Sequence, residues 1–341
     1  MRLFGSGDYL PPSYTLSLAD ALPSRKATLT DRHRRWLWLA LRLLGTAAGL
    51  TYIFLVADLR QVAITLARVP LSAFAVALTM SLLSVMVASA RWRVMFRTYG
   101  AAHLPGYWSL LRLQLVGLFY STYLPGGVGG DLVRGVASRR AFGDSGTPAA
   151  LTVVAVERLV GLAALLALVS LALYLRPLPG VRNSAAVGLA GIAVAAVAMA
   201  VVAGARRLAP LLPGRAGALA ARIPAMKWPA GLAAALALSM VAQVTMALGG
   251  NALLVAVAPT VTLSETIVVV LVSVAASFFP LTVGGAGVRE ATLVVLCAAI
   301  LNVPENQATA ASLGLWICQL VVAGAGGLLQ LTMRTKGRDA E

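Results

Sequence analysis

Long apolar runs, separated by short polar and basic stretches, dominate this chain. Six of them, at roughly 36–57, 70–90, 148–175, 184–204, 228–257 and 305–332, are each long enough to cross a hydrocarbon core of about 30 Å as an α-helix. A membrane β-barrel would show short segments of alternating polarity instead. The pattern predicts an all-α polytopic membrane protein with six full transmembrane helices. Two further apolar regions, 106–142 and 264–302, are interrupted near the middle by a proline and a cluster of glycines. Their halves are too short or too broken for ordinary spans, and such interruptions predict re-entrant helical hairpins.

The two interruptions resemble each other. The first reads PGGVGGDLVR from Pro125 to Arg134, and the second PLTVGGAGVR from Pro280 to Arg289. Pro125 matches Pro280, Val128 matches Val283, Gly129 and Gly130 match Gly284 and Gly285, Val133 matches Val288, and Arg134 matches Arg289. Three full spans separate the copies. An odd number reverses the direction of approach, so the hairpins are expected to enter from opposite faces and meet near the midplane, as in the inverted repeats of secondary transporters.

These residue types suit an anion. Proline ends an inbound half-helix, because it lacks an N–H and clashes with the preceding turn. The glycines let the chain reverse and expose backbone N–H groups. The outbound half-helix then begins with unpaired N–H groups and the positive end of its dipole. An arginine one turn later adds a fork matched to phosphate. Arg134 and Arg289, with the backbone at Gly129, Gly130, Gly284 and Gly285, are therefore expected to hold a phosphate from two sides. The plain alternative is that the glycines serve close helix packing and that Arg134 pairs with Asp131 one turn away.

Other ionisable residues lie at membrane depth, where each faces a cavity or a partner by default. Glu157 and Arg158 fall roughly ten residues into the third span, and Glu290 follows Arg289. With Asp131 they make three acids and three arginines, either a mutually neutral scaffold or a site in which Glu157 or Glu290 takes up a proton during transport. Asp131 and Arg158 join the expected substrate-binding set. Gln243 and Asn251, eight apart on one helix face, line a cavity or bond to a neighbouring helix.

Composition and charge fix the setting. Hydrophobic residues make up 59% and charged residues 12% of the 341, with a net charge of +16. The basic residues fall between the spans, so the charge reads as topology and anionic-headgroup contact rather than nucleic-acid binding. Residues 1–35 carry six Lys and Arg, 91–97 three, 134–140 three, 205–227 five and the tail after 332 three. The opposite side carries only Arg60, Arg68, Arg176 and Arg182. Both termini are therefore expected in the cytoplasm, with a polar segment 1–35, one membrane domain 36–332 and a tail 333–341. Arg42 is placed to snorkel to headgroups, and RWRVMFR, Arg91 to Arg97, reads as an interfacial anchor. Cys297 and Cys318 lie in apolar helices and read as packing residues. His33 and His103 fall in polar segments, so no metal constellation and no cofactor are expected. No Walker lysine motif accompanies the glycines, which argues against an ATP-driven motor.

FYSTYLPGGVGGDLVR, VERLVG and FPLTVGGAGVREA together resemble the transmembrane region of lysylphosphatidylglycerol synthases, over approximately residues 36 to 332. In that family, the resemblance implies, a soluble aminoacyl-transferase domain makes the lipid and the membrane region moves it between leaflets. The sequence holds only the membrane region, which leaves the expectation of a flippase or scramblase for a phospholipid or a polyprenyl-phosphate-linked lipid, without synthase activity. Membrane lipids are the expected partners, with a separate lipid synthase as a further one. The alternatives are a glycosyltransferase using a polyprenyl-phosphate donor, for which the outside loops are short, and a non-catalytic partner of such a synthase.

Overall fold

The structure is a computed structural model that describes residues 29–123, 129–178, 181–211, 213–221, 223–278 and 287–338. Among these residues the chain forms twelve α-helices joined by short turns. Five are long and apolar enough to cross a membrane: α3 (Leu71–Thr98), α6 (Gly146–Leu175), α7 (Ser184–Leu208, extended to Leu211 by a 3-10 turn), α9 (Ala230–Val257) and α12 (Glu305–Arg338). These correspond to five of the six expected spans. The sixth coincides with α1 (Leu29–Val56), whose end Leu43–Val56 counts as a span only as a pair with α2 (Leu59–Arg68), bent by 85°. The sequence pattern does not mark α2 as a helix. Asp58 starts it, with its carboxylate accepting from the N–H groups of Arg60 and Gln61, while its own N–H donates to Asn306 on α12 at 2.9 Å.

The interrupted regions are helix pairs. In the first, α4 (Tyr107–Tyr123) packs on α5 (Gly129–Ala137); in the second, α10 (Leu263–Phe278) packs on α11 (Val288–Leu301). None of the four reaches the length of a full span. The breaks at Pro125 and Pro280, with Gly284 and Gly285, lie outside the described residues. Their ends fit the expected reversal: α5 begins at Gly129, and Gly287 precedes α11 with φ +87°, a conformation that favours glycine. The remaining α8 (Gly214–Ala221) links α7 to α9.

Helices α3 and α9 run together through the centre and join two cores. One surrounds Trp92, Phe96, Val153 and Leu232 and holds the first hairpin. The other surrounds Leu253, Val269, Leu293 and Cys297 and holds the second. Leu189, Val194 and Val197 on α7 are each more than half exposed. Such a surface is costly in water and matches a hydrocarbon surround.

The expected end of the second span is corrected here. Helix α3 does not stop near residue 90 but continues to Thr98 and includes RWRVMFR. Trp92, Met95 and Phe96 are fully buried while Arg93 and Arg97 are exposed, so the segment packs one face into the protein and carries two of its arginines outward.

Candidate functional site

Glycine sets the position of each outbound half-helix. A Cβ on Gly130 would lie 2.1 Å from the carbonyl oxygen of Gly117, so α5 touches the backbone of its own inbound helix. A Cβ on Gly49 of α1 would lie 2.6 Å from the backbone of Gly287. The second outbound helix is thus seated against α1. Close packing, the plain reading of the glycines, holds at both places.

Arg134 sits one turn into α5 and is 5% exposed. It donates to the amide oxygen of Gln114 on α4, to Asp131 at 3.1 Å and to Glu157 on α6 at 3.2 Å, and lies over the Trp92 ring at 4.9 Å. Glu157, 1% exposed, takes Arg134 on one oxygen and Arg91 on the other, the latter at 2.6 Å. Arg91 also donates to Ser239 on α9 at 3.1 Å. Asp131 in turn accepts from Arg158, whose guanidinium lies 5.6 Å from the Phe278 ring at the end of α10. Three arginines and two carboxylates form one network across α3, α4, α5, α6 and α9. Buried charges persist only when paired and hydrogen-bonded, which this arrangement provides.

Arg289 is differently placed. Its Nε and one terminal nitrogen donate to a single oxygen of Glu290, at 3.0 and 2.7 Å, and the other terminal nitrogen donates to the amide oxygen of Gln319 on α12. The second oxygen of Glu290 accepts from the N–H of Gly287 at 2.7 Å, which caps the start of α11. The guanidinium also lines a cavity of about 250 Å³ bounded by α3, α10, α11 and α12. Ser81, Ser84, Ser273, Ser277 and Gln319 share the wall with it.

The expected residues therefore divide. Asp131, Arg134, Glu157 and Arg158 come together with the backbone of Gly129 and Gly130, whereas Arg289 and Glu290 form a second centre. The described partners of Arg134 and Arg289 have no residue in common. The side chain of Arg158 is 45% exposed, against 7% for Arg134 and 15% for Arg289. Asn251 accepts from Thr266 on α10 at 3.0 Å, a bond to a neighbouring helix. Sequence reasoning missed Arg91, Gln114 and Gln319. Arg91 carried a usable signal, an arginine beside a run of residues that bury completely. The two glutamines sit in apolar helices and are singled out only by the arginines they meet.

The lysylphosphatidylglycerol synthase TM region family matches the chain over residues 38–327, and the chain belongs to that family. No curated protein matches it. The match spans both hairpins and the ionic network, so the expected fold class, an all-α membrane protein built on this region, holds.

Proposed function

We propose that this membrane region moves a phosphate-bearing lipid, a phospholipid or a polyprenyl-phosphate-linked lipid, between leaflets, acting as a flippase or scramblase and not as a synthase. One observation carries the reading. Arg289, at the start of an outbound half-helix, lines a cavity between the spans α3, α9 and α12 and the hairpin helices α4, α10 and α11, where serines and Gln319 interrupt a mainly apolar wall. A polar headgroup crosses hydrocarbon slowly because it must shed its hydration. A guanidinium and hydroxyls inside the bundle replace part of that hydration while the tails stay in the bilayer. The first hairpin serves this task as a fixed body. Its arginine is held by counter-charges, and the second hairpin meets it through Arg158 over Phe278. Alternating exposure then comes from the two halves rocking about the cavity, in an inner membrane with both termini cytoplasmic.

The test is headgroup-specific lipid movement in proteoliposomes containing the purified chain. The wild-type chain is expected to move lipid. Arg289→Gln is expected to slow it by at least about tenfold, the loss of one charge-assisted hydrogen bond. A folded Arg289→Gln chain that works at the wild-type rate sinks the reading. Cysteines placed at positions 60 and 140 should label from opposite sides of the membrane, and labelling from one side removes the proposed topology.

A further inference from the structure

The cavity beside Arg289 separates its hydrogen-bonding groups by type. Ser81 and Ser84 on α3 and Ser273 and Ser277 on α10 line it. Each hydroxyl has a single proton to donate. Those protons are committed: Ser81 donates to the carbonyl of Ala77 at 2.7 Å, Ser84 to Ala242 at 2.9 Å, Ser273 to Val270 at 2.7 Å and Ser277 to Val274 at 2.6 Å. A carbonyl can only accept, so the serine is the donor in every pair. What the four hydroxyls still present to the cavity is lone pairs.

Ser312 on α12, the fifth serine of the lining, makes no side-chain hydrogen bond among the described residues and can donate or accept. Arg289 and Gln319 do the reverse of the other four. A guanidinium has five N–H donors, of which Arg289 directs three to Glu290 and Gln319, leaving two. Gln319 receives Arg289 on its amide oxygen, so its NH₂ remains a donor. The described lining holds no carboxylate and no aromatic ring, the two groups that receive a quaternary ammonium. Its volume of about 250 Å³ is also small. Pockets for drug-sized ligands run from roughly 300 to 1,000 Å³.

Resting on the lipid-transport reading, we infer that this cavity is the headgroup site and that it selects by donor hydrogens. The phosphate lies against Arg289 and Gln319, and a short amine- or hydroxyl-bearing substituent donates to Ser81, Ser84, Ser273 and Ser277. A trimethylated ammonium has no hydrogen to give these oxygens and leaves them unpaired. An unpaired buried acceptor costs more than a missing contact, which turns the serines into specificity determinants. The volume admits a substituent of a few carbons and not an oligosaccharide.

Phosphatidylethanolamine and phosphatidylcholine test this, because both are zwitterionic and differ only in N–H against N–CH₃. With matched acyl chains in competition, native mass spectrometry of the full chain should show about tenfold preferential retention of phosphatidylethanolamine. Ser84→Ala with Ser273→Ala should bring that ratio toward one. Equal retention by the wild-type chain overturns the inference, and so does an undiminished ratio in a folded double variant. The wild-type ratio decides even where the double variant does not fold. Free phosphoethanolamine and phosphocholine, compared by thermal shift, separate the headgroup from its lipid. If the free pair reproduces the preference while neither lipid moves in proteoliposomes, the headgroup site stands and the transport reading fails. If lipid moves with no preference between the two headgroups, transport stands and the headgroup site fails.

Discussion

The first and second hairpins share six of ten residues around their break, yet their arginines live in different surroundings. Each reaches an acid of its own hairpin and a side chain of the helix that follows. For Arg134 that following side chain is Glu157, a carboxylate; for Arg289 it is Gln319, an amide. The first arginine is matched by two carboxylates and stacked on Trp92. The second shares one oxygen of a single acid and still faces a cavity. A repeated motif thus meets two settings, and under the proposed function the arginine whose neighbour supplies charge is a pin while the one whose neighbour supplies only dipoles receives the ligand.

Removing the counter-charge from the pin is the strongest way to break this contrast. Glu157→Gln leaves Arg91 and Arg134 buried beside a neutral amide and should destabilise the chain by about 3–5 kcal/mol, read as denaturant or thermal unfolding in detergent. The sequence also offered Glu157 as a proton carrier. A variant with wild-type stability and a flattened pH profile of transport would restore that role and remove the pin. The same change at the second centre should act on function instead. Arg289→Lys keeps the charge and loses the fork, and transport should fall, by less than for Arg289→Gln, while stability holds.

Gly130→Ala places a methyl 2.1 Å from the Gly117 carbonyl, so α5 must move. Overpacking of this kind costs about 1–3 kcal/mol. If the variant keeps wild-type stability, the first hairpin is looser than its contacts imply. Gln319→Glu makes the second centre resemble the first. It should lower phosphatidylethanolamine retention about tenfold by neutralising Arg289, and unchanged retention would show that Arg289 is not the phosphate contact. The smallest effect belongs to Arg158→Lys. Its side chain is 45% exposed, and an ion pair so wetted contributes about 0.2–1 kcal/mol. A larger loss in unfolding measurements would make the Arg158 link to Phe278 part of the scaffold.

Much of the fold is legible in the residues because hydrocarbon length is a one-dimensional quantity. Runs of about 20 apolar residues read as spans without any knowledge of neighbours, and the proline and glycine interruptions mark the hairpins. The reading missed α2 and the inward contact of Arg91. Helix α2 is short and amphipathic; Asp58 caps it with its carboxylate and is itself tied by its N–H to distant Asn306. Arg91 looks like a surface charge because its partner, Glu157, is 66 residues away.

The sequence alone determined the class of molecule, the family resemblance, the two breaks and the pairing of an arginine with each, all of which depend on composition and local spacing. Only the tertiary structure decided which groups each arginine meets. The assignment of Glu157 to Arg91 and Arg134, of Gln319 to Arg289, and of the Ser84 proton to the carbonyl of Ala242 rests on which helices lie side by side. Electrostatic roles are set over a few ångströms, and no spacing along the chain encodes that distance.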